Sequence, residues 1–74
     1  NYTDAYYNKG DSLKNLKKYD EAIECYNKCI QIDPKYTDAY NNKGDSLNDL
    51  KKYEEAIDCF NRTIEIDPNN TYAY

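Results

Sequence analysis

Histidine is absent from this chain, and cysteine, proline and glycine are rare: three Cys, two Pro and two Gly in 74 residues. Without an imidazole, no His-based catalytic triad and no zinc site of the His type can be assembled. Cys25, Cys29 and Cys59 form an odd set without the spacing of a disulfide framework. Cys25 and Cys29 fall one helical turn apart, but two thiolates alone do not close a tetrahedral metal site. They are expected to be small, polarizable packing residues, reduced in a cytoplasmic protein. Neither a metal nor a cofactor is expected. Long apolar runs are missing as well: no stretch approaches the ~20 residues that cross a bilayer, and no signal or transit segment is visible. Acidic residues outnumber basic ones 14 to 10, a net charge of −4. That balance supplies no basic face for nucleic-acid phosphates or for an anionic membrane. Leu, Ile and Val are scarce, and ten Tyr and one Phe carry much of the hydrophobic content. Tyr joins an apolar ring to a polar tip, which suits half-buried positions in thin layers.

What is present is repetition. Shifted by 34 positions, residues 1–34 match residues 35–68 at 24 of 34 places. Most mismatches are mild, such as Asp20/Glu54, Glu24/Asp58, Tyr26/Phe60 and Lys28/Arg62. A third copy starts at 69–74, where Asn-Asn-Thr-Tyr-Ala-Tyr echoes Asn1 to Tyr6. A fixed period of this length implies stacked units and no single globular core. One array is expected over 1–74, with repeats at about 3–36 and 37–70 and a partial third at 71–74. Because the chain begins in mid-pattern, it is expected to be a piece of a longer array.

Each unit reads as two helices. Tyr6, Gly10, Leu13 and Leu16 make one helical stripe, with Thr3 as N-cap and Asp4 in the first turn. Lys17-Lys18 break it. Tyr19, Ala22, Ile23, Tyr26, Cys29 and Ile30 make the next stripe, which Asp33-Pro34 ends. The second unit repeats this: Thr37 opens, Tyr40, Gly44, Leu47 and Leu50 follow, then Lys51-Lys52. Tyr53, Ala56, Ile57, Phe60 and Ile64 come next, and Asp67-Pro68 stop the pattern. An all-α fold is predicted, with helices at about 4–16, 19–32, 38–50 and 53–66. Gly10 and Gly44 lie mid-helix, where Gly costs about 1 kcal/mol relative to Ala. Their recurrence predicts close packing opposite Ala22 and Ala56.

These residues resemble the tetratricopeptide repeat, a 34-residue unit with an aromatic, a Leu-Gly pair, a second aromatic, Ala, a large aromatic and a late Pro. The matching positions are Tyr6, Lys9-Gly10, Leu13, Ala22, Tyr26 and Pro34, then Tyr40, Lys43-Gly44, Leu47, Ala56, Phe60 and Pro68. Lys9 and Lys43 depart from the usual Leu, and Leu13 and Leu47 replace an aromatic. The small residue near the end of the second helix is Cys29 in one unit and Thr63 in the other. The resemblance implies an α-solenoid of helix-turn-helix units in a right-handed superhelix, with first helices on the concave wall. It also implies a scaffold that binds protein or peptide segments and is not an enzyme.

The concave wall then takes Asp4, Tyr7, Asn8, Asp11, Lys14 and Asn15 from one unit and Asp38, Asn41, Asn42, Asp45, Asn48 and Asp49 from the next. Five Asp against one Lys leave −4 on these twelve residues, which favours a basic or polar peptide. Tyr7 is singled out as a possible aromatic anchor, against the alternative of packing on its own helix. A carboxylate-gripping variant of the family uses Lys, Asn and Arg. Asn8 and Asn42 match its Asn, but Tyr7 and Asn41 stand where its first Lys would be, and Asp11 replaces another Asn. An Asp there repels a carboxylate, so that function is not expected. Asp4/Asp11 and Asp38/Asp45 recur at i, i+7 and could share an adventitious divalent cation. Paired carboxylates for hydrolysis need a shielded cleft, which two repeats are not expected to supply.

A repeat buries its apolar side only against neighbours. Ile57, Phe60 and Ile64 at one end, and Tyr2 and Tyr6 at the other, are expected to leave complementary faces. Head-to-tail association of chains follows as an expectation, and a self-stacking array without a peptide ligand as the alternative function.

Overall fold

The computed structural model describes residues 1–68 and holds four helices: α1 (Tyr2–Asn15), α2 (Tyr19–Ile32), α3 (Thr37–Asp49) and α4 (Tyr53–Ile66). No strand occurs among the described residues. The partial third repeat expected at 71–74 lies outside them. α1 packs on α2, α3 on α4, and α2 on α3, so two hairpins are joined in series. None of these helices is long and apolar enough to cross a membrane.

The hairpin turns are built alike. After α1, Lys17 takes a left-handed φ of 63°, its N–H reaches Lys14 O, and Lys18 N–H reaches back to Leu13 O at 2.9 Å. Lys51 and Lys52 repeat this after α3, with Lys52 N–H on Leu47 O at 2.8 Å. This Schellman closure satisfies the last carbonyls, and it usually employs Gly because a Cβ strains the left-handed region. Between the units, Lys35 N–H donates to the Asp33 carboxylate and Tyr36 N–H to Asp33 O, a tight turn with Pro34 at its second place.

Two sequence expectations are corrected here. Thr3 is not the cap of α1. It lies inside the helix and is buried, while the Asn1 side chain accepts from Asp4 N–H at 3.2 Å. The helix therefore starts at Tyr2. Leu16 does not continue the packing stripe either: it stands past the last helical turn, 66% exposed.

Gly10 and Gly44 do mark close approach, and each lies directly under an aromatic ring. A Cβ on Gly10 would lie 2.7 Å from the Tyr26 ring, and one on Gly44 2.6 Å from the Phe60 ring. Ala22 and Ala56 are themselves fully buried. One core cluster, Ala22, Tyr26, Cys29 and Ala39, straddles the two units and gathers Tyr6, Tyr7, Leu13, Ile30 and Tyr36 around it. The other, Leu47, Ala56 and Cys59, gathers Phe60 and, from α2, Ile23. The departures at Cys29 and Thr63 are absorbed: both are fully buried, and the Thr63 hydroxyl donates to Cys59 O at 3.2 Å.

Candidate protein-interaction surface

The wall formed by α1 and α3 carries the polar residues singled out above. The structure divides them into a closed part and an open part. In the closed part, Tyr26 hydroxyl donates to Asp11 Oδ1 at 2.6 Å, and Asn42 Nδ2 donates to the same oxygen at 2.8 Å. Asn42 Nδ2 also reaches the Tyr7 hydroxyl at 2.9 Å, and Tyr36 hydroxyl donates to Asp4 at 2.9 Å. Two of the five expected groove carboxylates are therefore engaged in holding one unit to the next. Such charge-assisted bonds are stronger than neutral ones.

Tyr7 belongs to this seam. Its ring lies 5.2 Å from Tyr36 and 6.0 Å from Tyr26, centroid to centroid. It thus packs across two neighbouring helices. Burial pushes its hydroxyl up to about 12, helped by the negative charges of Asp11 and Asp38. Burial and the Asp11 bond raise Tyr26 further, and burial and the Asp4 bond raise Tyr36. All three phenols stay neutral donors or acceptors over the physiological range.

The open part is a cleft of about 430 Å³ lined by Tyr7, Asp38, Asn41, Asn42 and Asp45. Asp38 is exposed. Asp45 keeps one loose ion pair, with Lys14 Nζ at 3.5 Å. Asn41 is 9% exposed, and its Oδ1 is buried without a hydrogen-bond partner. A buried acceptor left unpaired costs free energy comparable to a lost hydrogen bond. Asn8, Asn15, Asn48 and Asp49 are exposed along the same helices. Asp49 also neighbours Tyr19, whose hydroxyl burial and the Asp49 charge push up.

Sequence reading missed the donors Tyr26 and Tyr36 as wall residues, because both were assigned to packing or left aside. For Tyr26 the self-alignment holds a signal, since it answers to Phe60, whereas Tyr36 answers to an identical Tyr2 and gives none. The cysteines are free and buried. Burial pushes the Cys29 thiol up to about 11, aided by Asp33 and Asp4, and burial raises Cys59 too. Raised thiols are poor nucleophiles and poor ligands.

No curated protein matches the chain in sequence. Solved structures do. The crystal structure of MamA is 28% identical with a TM-score of 0.95, over 97% of this chain and 42% of that one. The Arabidopsis OM64 TPR domain is 27% identical with a TM-score of 0.93, over 96% and 59%. The TPR2B domain of yeast Sti1, solved in complex with pHsp70, is 27% identical with a TM-score of 0.95, over 99% and 58%. The chain thus spans roughly half of each of these structures. The Tetratricopeptide repeat family matches at residues 3–36 and again at 37–70. Two matches in tandem, laid on two helical hairpins packed in series, make this chain a member of the tetratricopeptide repeat family.

Proposed function

We propose that the chain is a protein-interaction module that receives a basic or polar peptide segment in the cleft of α3. The observation that carries this reading is the pair Asp38, exposed, and Asp45, half-buried with one loose ion pair to Lys14, on one face of α3 on either side of the Asn41 amide. A lysine or arginine side chain offers the positive charge that Asp38 lacks and that Lys14 only partly supplies to Asp45, and peptide N–H groups suit the amide. The Lys14 ammonium resting near Asp45 supports the same preference from within the chain. Tyr7 and Asn42 form the back wall, while Asp4 and Asp11 hold the wall together. Asn8, Asn15 and Asp49 extend it toward its ends. The module acts by binding and not by catalysis, and its free, buried thiols support a reducing, cytoplasmic setting. Its charge gives no reason to expect nucleic acid or an anionic membrane as partner.

Calorimetric titration with a lysine-rich peptide and with its acidic counterpart tests this. The basic peptide should bind, weaken with added salt, and lose about ten-fold or more in affinity with Asp38→Asn plus Asp45→Asn. Equal affinity for both peptides, or no effect of the double variant, would defeat the reading. A second reading, association of the chain with copies of itself, is favoured by α4. There Tyr53 and Ile57 are 57% and 55% exposed.

A further inference from the structure

We propose that Lys14 is a built-in competitor at the α3 cleft: its ammonium holds Asp45, and a lysine side chain of a bound segment must displace it. This rests on the reading of the cleft as the seat of a basic segment, and it gives Lys14 a part in the selectivity of that seat.

Lys14 and Asp45 meet across the joint between the two complete units, one in the last turn of α1 and the other in α3. Lys14 Nζ lies 3.5 Å from Asp45 Oδ2, beyond the roughly 2.7–2.9 Å of a tight charge-assisted bond. The lysine side chain is 25% exposed and the aspartate side chain 45%, so water reaches the pair and screens it. Pairs of this kind contribute little and give way to another cation. The carboxylate at the matching place in the first unit is held differently. Asp11 Oδ1 accepts from the Tyr26 hydroxyl at 2.6 Å and from Asn42 Nδ2 at 2.8 Å. Asp11 is thus fixed by two neutral donors of the fold, and Asp45 by a loose cation that a second cation can replace.

The sequence sets Lys14 apart as well. It alone is basic among the twelve wall residues, and its counterpart in the second unit is Asn48. The last turn of a helix favours a cation through its dipole, yet α3 ends without one. Dipole support is therefore not something both units require. Where Phe60 withholds the hydroxyl that Tyr26 gives to Asp11, Lys14 makes the contact to Asp45 in its place. Its ammonium then occupies one carboxylate oxygen and repels an incoming cation. A basic segment gains Asp38 freely and Asp45 only by displacing Lys14, which turns weakly basic segments away.

Calorimetric titration of the lysine-rich peptide into wild type, Lys14→Asn, Asp45→Asn and the double variant of the full chain tests the proposal. Asn is what the second unit carries at this place, so the helix end tolerates it. Lys43→Met serves as control: Lys43 lines the recess of Ile23, Leu47 and Cys59 and not the cleft, and its loss changes the net charge equally. Lys14→Asn should tighten binding about three- to five-fold, and the gain should vanish in the Asp45→Asn background. Binding by Lys14→Asn where wild type shows none would support the proposal as well. A gain that survives Asp45→Asn, or that Lys43→Met reproduces, overturns it, because Lys14 then acts through net charge alone. No gain while wild type binds overturns it and leaves the cleft reading standing. Peptide bound by neither wild type nor Lys14→Asn overturns both.

Discussion

The two hairpins have nearly the same sequence and the same backbone, yet one presents a closed seam and the other an open cleft. In the first, Asp11 is capped by the Tyr26 hydroxyl and by Asn42, beneath a cluster of Tyr7, Tyr26 and Tyr36. In the second, Phe60 stands in place of Tyr26 and brings no hydroxyl to Asp45, and Asn41 stands in place of Tyr7. Asp45 is left with a lysine at 3.5 Å, and Asn41 with a buried orphan acceptor. The lesson is that repeat identity fixes the frame, while a few side chains at unlike positions decide whether a wall is sealed or receptive. One hydroxyl separates a carboxylate that is capped from α2 from one that is not.

The largest expected effect breaks the frame in one unit only. Gly10→Leu forces side-chain atoms into the space of the Tyr26 ring, which is fully buried and cannot swing away. Overpacking of this kind costs about 1–3 kcal/mol or more, and thermal melting should show a much larger drop than for exposed Asn48→Leu, which should stay within about 0.5 kcal/mol. Gly44→Ala should be milder than Gly10→Ala, since Phe60 is only half-buried and can yield. Equal melting temperatures for those two alanine variants would undo the contrast.

Tyr26→Phe makes the first seam resemble the second. Loss of a hydrogen bond to a charged group should cost about 1.5–3 kcal/mol in urea unfolding, and Asp11 should then become available to basic peptide. The reciprocal Phe60→Tyr should cap Asp45, stabilise the fold and weaken peptide binding. If both exchanges leave peptide affinity untouched, the hydroxyl is not what separates the two walls.

Alkaline titration sharpens the comparison next. The Tyr7, Tyr26 and Tyr36 hydroxyls are all raised, Tyr7 to about 12. In the unfolded chain they ionise near pH 10. A raised phenol means that the folded chain holds its proton longer. Its contribution to stability is thus complete below about pH 10 and is lost as pH climbs from there through about 12. Urea midpoints measured from pH 8 to 12 should fall over that window, and the fall should shrink in Tyr7→Phe. The smallest effect concerns what the hairpins share: Lys17→Gly and Lys51→Gly each remove a left-handed strain of about 1 kcal/mol and should stabilise equally. Unequal gains in melting temperature would reveal that the two turns are not equivalent.

Much of this is legible in the sequence. The 34-residue period, the stripes and the Asp-Pro stops placed α2 and α4 at their observed ends and the other two helices within two residues. The errors were local. Thr3 looked like a cap because hydroxyl residues favour that place, but Asn1 lies one position before the first helical residue and takes the role. Leu16 continues the stripe by spacing, whereas α1 ends at Asn15 and leaves it 66% exposed.

By itself, then, the sequence determined the unit, its helices and the net acidity of the wall, because periodicity and charge are local properties of a chain. Which acids would be consumed was decided only when α2 and α3 came together. A hydrogen bond between residues 15 or 31 positions apart depends on distances that no local pattern encodes. The same packing set Asn41 aside as a buried acceptor without a donor, a distinction that the even-looking acidic pattern of the sequence does not carry.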